Sequence, residues 1–516
     1  MGTVIAVGIA LISGLLVGFA LPHGPATQTQ AILVLIGGLS VGWLGGLAMP
    51  SRWAMLIVPL AHIIAIEIVR WGIAGPSVGA IRLDNMYGIL ALVLGRGFYA
   101  FLAIAPMVAG TRLGAMLSQS WPTSMLGWVP AGVIGIALMA LAVIILLPAS
   151  TPPILGGDGK PIAGSIASLE KIRLGGADQW IMIRAHSPDK PVLLYLSGGP
   201  GQSDLPYSRV LFEDLSRDFV VVSWDQRGTG KSSAALDPVS ALTLAQAVSD
   251  TVELSKYLRD RFGEKKIYLM GESWGSTLGV LAVQRQPELY FAWIGSGQMV
   301  SQRETDRRLY QDVLALADRN GDLENAKKMR AFGEPPYADI PYPNAFIMGQ
   351  YDKLYKPYTP PQTYIDKGNA AKLGPYGVFA SEYNFVEKFN VLRGLLDMFS
   401  VMYPQLQDID FRRDVPRLDV PVYILDGRAE LPARRELMLE WYNKLEAPAK
   451  HMASFDNAAH SVAFEQFEAF HKLMINTVLP ETYVPALVRI NGRNLVRNDR
   501  FDVRAESTPA GLAMPV

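Results

Sequence analysis

The sequence predicts two parts in tandem. A bundle of apolar helices built to cross a membrane comes first, and a mostly parallel α/β sheet with helices on both faces and a helical cap insertion follows. Three observations carry this. Only seven charged side chains (Arg52, Glu67, Arg70, Arg82, Asp84, Arg96 and Arg112) occur in the first 150 residues, while nearly all of the 47 basic and 47 acidic residues lie beyond them. From residue 191 onward short apolar runs alternate with helical patterns. That rhythm stops near Gln298 and resumes at Pro421.

The apolar runs fall at 3–21, 31–49, 53–74, 86–109 and 127–148, each close to the ~20 residues that a spanning helix needs. A cleaved leader is the competing reading, but MGTVIAVGIA has no basic segment and four more apolar runs follow it. Residues 1–150 are therefore read as a transmembrane region of about five helices, with the lipid bilayer as partner. Arg96 lies inside the fourth run, where a charge needs a protein or water partner. Glu67 and Arg70 are spaced to pair on one helix face, and charges near helix ends commonly snorkel to the interface. The loop arginines give no net bias between the two sides, and the working expectation places the second part outside the cytoplasm. A Pro/Gly-rich connector, LPASTPPILGGDGKP, then leads to a linker at 151–165.

PVLLYLSGG (191–199), FVVVSWDQRG (219–228), KIYLMGES and YFAWIGSG read as buried strands, with helical patterns between them. They define a first core section at 166–298. The polar, aromatic stretch 299–415 reads as a cap over the strand ends, where ligands bind in open α/β sheets. A second core section, 416–478, holds PVYILDG and HMASFDNAAH. The tail 479–516 is unassigned.

Several function classes are excluded. With no cysteine there is no disulfide or thiolate chemistry, and the six histidines show no metal-ligand spacing. No basic stripe suggests nucleic acid. DQRGTGKSS fails as a phosphate loop, because the required glycine is Asp225. No cofactor is expected.

The chemistry centres on GESWG, Gly271 to Gly275. This G-x-S-x-G follows an apolar strand and opens a helix, the strand–turn–helix context that exposes a nucleophilic serine at a strained turn. A second match, GPSVG at 75–79, lies between two membrane runs with no strand before it. Ser273 is therefore the candidate nucleophile. It needs a base, and in such sites acid and histidine follow the serine in chain order. His460, on the loop after the last core strand, fits. His451 begins a strand, His471 lies inside a helix, and the other three histidines precede Ser273. Asp426 and Glu430 both follow the strand PVYIL, and either could orient the imidazole. Oxyanion donors are expected from the Trp274 N–H and from the glycine loop SGGPG, at Gly199.

These residues resemble the proline iminopeptidase branch of the α/β-hydrolases, whose HGGPG, DQRGxGxS, GGSWGSTL, GRxD and histidine-loop motifs read here as SGGPG, DQRGTGKSS, GESWGSTLG, GRAE and NAAH. The resemblance spans about 165–478 and implies an α/β-hydrolase fold with a Ser–His–acid triad and no cofactor. It shifts the acid to Glu430, three residues after Gly427. Ser197 replaces the family's histidine, Glu272 replaces a glycine, and Glu430 stands where aspartate is usual. The implied activity is a prolyl-type aminopeptidase acting on peptides. An esterase or lipase taking membrane-derived acyl groups is the alternative, and a non-catalytic receptor that keeps the fold is a second. Glu304, Asp306 and Asp312 in the cap, and Glu272 beside the nucleophile, are candidates to hold a substrate amine.

Overall fold

The computed structural model describes residues 1–118 and 125–483, together with short strand segments at 487–490, 493–496 and 504–505. The rest of the tail lies outside the described residues. Helices α1 (Gly2–Ala20), α2 (Gln28–Ala48), α3 (Ala54–Arg70), α4 (Met86–Leu117) and α5 (Met125–Leu146) correspond to the five apolar runs. Among the described residues, α1, α2, α4 and α5 are long and apolar enough to cross a membrane. The 17-residue α3 contains Pro59 and falls short of that length. Ile136 and Met139 on α5 are about 70 % exposed, an apolar surface that water solvates poorly.

Close backbone contact holds α2 on α4. Gly38, Gly42 and Gly46 recur every four residues, and a β-carbon on any of them would overlap the carbonyls of Ala103, Met107 and Thr111. Small residues at this spacing let two helices approach to backbone contact, the main source of packing energy where lipid surrounds them. The charges inside the bundle are paired rather than snorkelling. Arg96 donates to both oxygens of Glu67, at 3.0 and 2.7 Å, and Arg70 is buried beside the Tyr99 ring.

The second part is built on an eight-stranded sheet. Its strands are β1 (Ile166–Leu174), β2 (Ala177–Ala185), β3 (Val192–Leu196), β4 (Val220–Asp225), β5 (Ile267–Glu272), β6 (Tyr290–Ser296), β7 (Val422–Gly427) and β8 (Lys450–Phe455). The spatial order is β1-β2-β4-β3-β5-β6-β7-β8, with β1, β2 and β4 antiparallel and β4 through β8 parallel. Strands β3 to β7 are buried along their whole length, as the unbroken apolar runs required. Helices α6 (Leu244–Phe262) and α7 (Trp274–Arg285) cover one face. The Phe212, Phe464 and Phe470 cluster covers the other.

The chain between β6 and β7 is helical and includes α8 (Gln302–Arg319) and α9 (Phe385–Met402). Helix α9 is wedged between the two parts of the molecule. On one side Phe389 stacks on Phe98 of α4 at 4.0 Å, and Arg393 donates to the His23 and Pro25 carbonyls at 2.7 and 2.9 Å. Asp397 accepts from the Ser77 N–H and hydroxyl at 3.0 and 2.6 Å. The serine of GPSVG is thus a buried clamp on this helix. On the other side, Gly394 lies against Gly201 of the SGGPG loop, and a β-carbon on Gly201 would overlap the Gly394 carbonyl.

Candidate active site

Ser273 stands at the tip of the β5-to-α7 turn with φ 53° and ψ −119°, a backbone conformation costly for any side chain. The sequence makes the turn possible through its flanking glycines. A β-carbon on Gly271 would overlap the Gly275 carbonyl, and one on Gly275 would overlap the Leu196 carbonyl. The Ser273 N–H donates to the Ser296 carbonyl at 3.1 Å, which fixes the turn against the end of β6.

His460 lies on the loop after β8, with its ring against Gly297, the residue after Ser296. Its Nδ1 is hydrogen-bonded to Glu430 Oε2. The other oxygen, Oε1, accepts from Tyr355 Oη at 2.8 Å, the Leu431 N–H at 2.7 Å and Arg434 at 3.4 Å. Burial would raise the Glu430 pKa, but His460 and Arg434 outweigh it and hold the carboxyl down to about 2. An ionised acid on Nδ1 leaves Nε2 as the ring's proton acceptor. Among the described hydrogen bonds none joins the Ser273 hydroxyl to His460. Such contacts are commonly long before substrate arrives.

Asp426 faces elsewhere. Arg435 holds both of its oxygens, at 2.7 and 2.9 Å, and Ser454 donates at 3.1 Å. The other histidines also have partners outside the site. His451 stacks on Tyr423 and pairs with Glu481, His471 with Asp218, His186 with Ser216, and His23 with Asp237. His62 contacts the Tyr99 hydroxyl.

The SGGPG loop reaches Ser273 through Gly198, where a β-carbon would meet Ser273 Cβ at 3.3 Å. Neither the Gly199 nor the Trp274 N–H is engaged by any described hydrogen bond. Gln226 braces this arrangement, accepting from Trp274 Nε1 at 2.8 Å and donating to the Ser197 carbonyl at 3.2 Å. Gln226, Tyr355, Arg434 and Ser461 (which donates to Glu272 at 2.8 Å) were not singled out from the sequence. Gln226 had a signal in the DQRG motif. The other three depend on contacts made only in the folded chain.

Residues 191–320 match the family model described as alpha/beta hydrolase fold. The chain is 28% identical over 311 residues to the probable aminopeptidase YbaC of Bacillus subtilis strain 168, covering 60% of this chain and 96% of that protein. It is 27% identical over 184 residues to a proline iminopeptidase of Lactobacillus helveticus, covering 35% of this chain and 60% of the relative. A proline iminopeptidase-related protein of Thermus thermophilus aligns in structure with a TM-score of 0.42 at 20% identity, covering 61% of this chain and 98% of that one. The mostly parallel sheet, the serine at a strained strand-to-helix turn and the family model matched over residues 191–320 give this chain an α/β-hydrolase fold, and its aminopeptidase and proline iminopeptidase-like homologues support a hydrolase enzyme.

Proposed function

We propose that the chain is a membrane-anchored serine hydrolase that removes N-terminal residues, proline among them, from peptides. The observation that carries this is the strained Ser273 turn tied to Ser296, with His460 packed on the next residue, Gly297, and bonded to a buried carboxylate held ionised. In the proposed reaction Ser273 Oγ attacks the scissile carbonyl carbon while His460 Nε2 takes its proton. Glu430 holds the ring and stabilises the imidazolium. The Gly199 and Trp274 N–H groups receive the oxyanion, and the start of α7 favours negative charge there. His460 then returns the proton to the leaving amine nitrogen and an acyl-enzyme forms on Ser273. Water, deprotonated by His460, attacks that ester, the Oγ–acyl bond breaks, and His460 returns the proton to Ser273 Oγ as the amino acid leaves.

The names of the relatives support an aminopeptidase, and the four long apolar helices with their exposed α5 surface support membrane attachment. The test is hydrolysis of a prolyl arylamide by the full chain in detergent, compared with Ser273→Ala. Turnover by the wild type and none by the variant supports the reading. Equal turnover by both would discard Ser273 as nucleophile.

A further inference from the structure

The acids in the cap that could have held a substrate amine are committed elsewhere. Glu304 is paired with Arg307 and Arg308 at 2.7 and 2.9 Å. Asp306 accepts from Tyr403, Gln407 and Gln302 at 2.6, 3.0 and 3.0 Å. Neither these two nor Asp312 lines the cavity at Glu272, the residue before the nucleophile.

That cavity, of about 300 Å³, lies between the core and the insertion. Its walls include Glu272, Gln202 and Ser461, which adjoin the nucleophile, the glycine loop and the base respectively. An α-amine lies two bonds from the scissile carbon, so its seat must adjoin the nucleophile, as this cavity does through Glu272, the chain neighbour of Ser273. Asp204 supplies a second carboxyl, and Tyr207, Tyr364, Tyr376 and Phe464 supply aromatic rings. Among the described residues, no basic side chain lines it. Two buried carboxyls among aromatic faces make a setting that attracts a cation and repels an anion.

The two acids differ in how they are satisfied. Asp204 accepts from Tyr195 at 2.9 Å and from Gln202 at 2.7 Å. Glu272 is 3 % exposed, and among the described residues only its Oε1 has a partner, the Ser461 hydroxyl. Its Oε2 is buried with no hydrogen bond from any of them. A buried carboxyl oxygen without a partner is costly, and Glu272 is one of the residues lining a cavity that could admit a donor. We infer that this cavity seats the substrate's free α-ammonium against the Glu272 carboxyl, with Asp204 as the second carboxyl. This rests on the aminopeptidase reading and moves amine recognition from the cap to the residue before the nucleophile. Glu272 is then a specificity-determining residue.

The full chain in detergent is assayed on L-prolyl arylamide, its N-acetylated form and a short acyl ester. The wild type should prefer the free amine, and Glu272→Gln should raise KM for it and lower its kcat/KM by about 10- to 100-fold, shrinking the preference accordingly. Should Glu272→Gln fail to fold, Tyr376→Lys carries the same test. Tyr376 is half-exposed at the cavity rim, and a tethered ammonium there should raise KM for the free amine selectively. A folded Glu272→Gln that keeps the wild-type preference, or a Tyr376→Lys that leaves both amides unchanged, overturns the amine seat while leaving the aminopeptidase reading intact. A wild type that cleaves only the ester, or both amides equally, overturns that reading and the inference with it.

Discussion

Glutamine at position 430 distinguishes the two acids that follow β7. Three donors, from Tyr355, Leu431 and Arg434, converge on Glu430 Oε1, so the oxygen of a glutamine is held there and its NH₂ is forced toward His460. An N–H pointed at Nδ1 favours the tautomer with the proton on Nε2, where the base must accept one. Losing an orienting carboxylate in this way costs about 10⁴-fold in kcat, or roughly 5.4 kcal/mol of transition-state stabilisation. Asp426→Asn instead weakens a buried bidentate pair with Arg435, which should lower stability by about 1–3 kcal/mol and leave kcat within about tenfold. The assay is prolyl arylamide turnover by the full chain, with thermal unfolding measured on the same samples. If Glu430→Gln stays within about tenfold of wild type while Asp426→Asn loses activity as a folded protein, the orienting role belongs to Asp426 and the reasoning fails.

Other outcomes follow from the same geometry. Gly275→Ala places a β-carbon onto the Leu196 carbonyl, so the unfolding temperature should fall with an overpacking cost of about 1–3 kcal/mol or more. The Glu430 carboxyl is depressed from 4.5 to about 2 on folding, so its stabilisation is full above pH 4.5 and lost as pH falls toward 2. The difference in unfolding temperature between wild type and Glu430→Gln should therefore narrow over that window. Asp397→Ala removes the acceptor of the buried Ser77 N–H and hydroxyl. It should lower stability by about 2–4 kcal/mol, measured by denaturation in detergent, since two donors lose their partner. Finally, if the four long apolar helices span a membrane as proposed, the full chain should stay with membranes through alkaline carbonate extraction.

How far the sequence could be read depended on whether a feature was local. The Ser273 turn was legible because an apolar strand, two glycines and a helical pattern sit within one short stretch, and each imposes its geometry without help from distant residues. The order of Ser273, an acid after β7 and His460 could be expected strand by strand, but those cues left Asp426 and Glu430 both open, and the family resemblance pointed to Glu430. The β1–β2 hairpin went unread, although Gly175 and Gly176 separate two runs that pair in register. Strand β1 is only partly buried, and neither strand has the unbroken apolar run of β3. The pairing of Arg96 with Glu67 could not be foreseen, since it joins two helices whose rotation is set by glycine contacts. The cavity at Glu272 was equally hidden, because its walls come from four separate segments that meet only in the folded chain.

The central claim is that Ser273 is the activated nucleophile of this site. A biotinylated fluorophosphonate, applied to the full chain in detergent and followed by peptide mass mapping, tests it most directly. The account expects one adduct, on the peptide carrying Ser273, abolished by Ser273→Ala and formed far more slowly by Glu430→Gln. Absence of labelling in folded wild-type protein, or an adduct on Ser77 in place of Ser273, would contradict it.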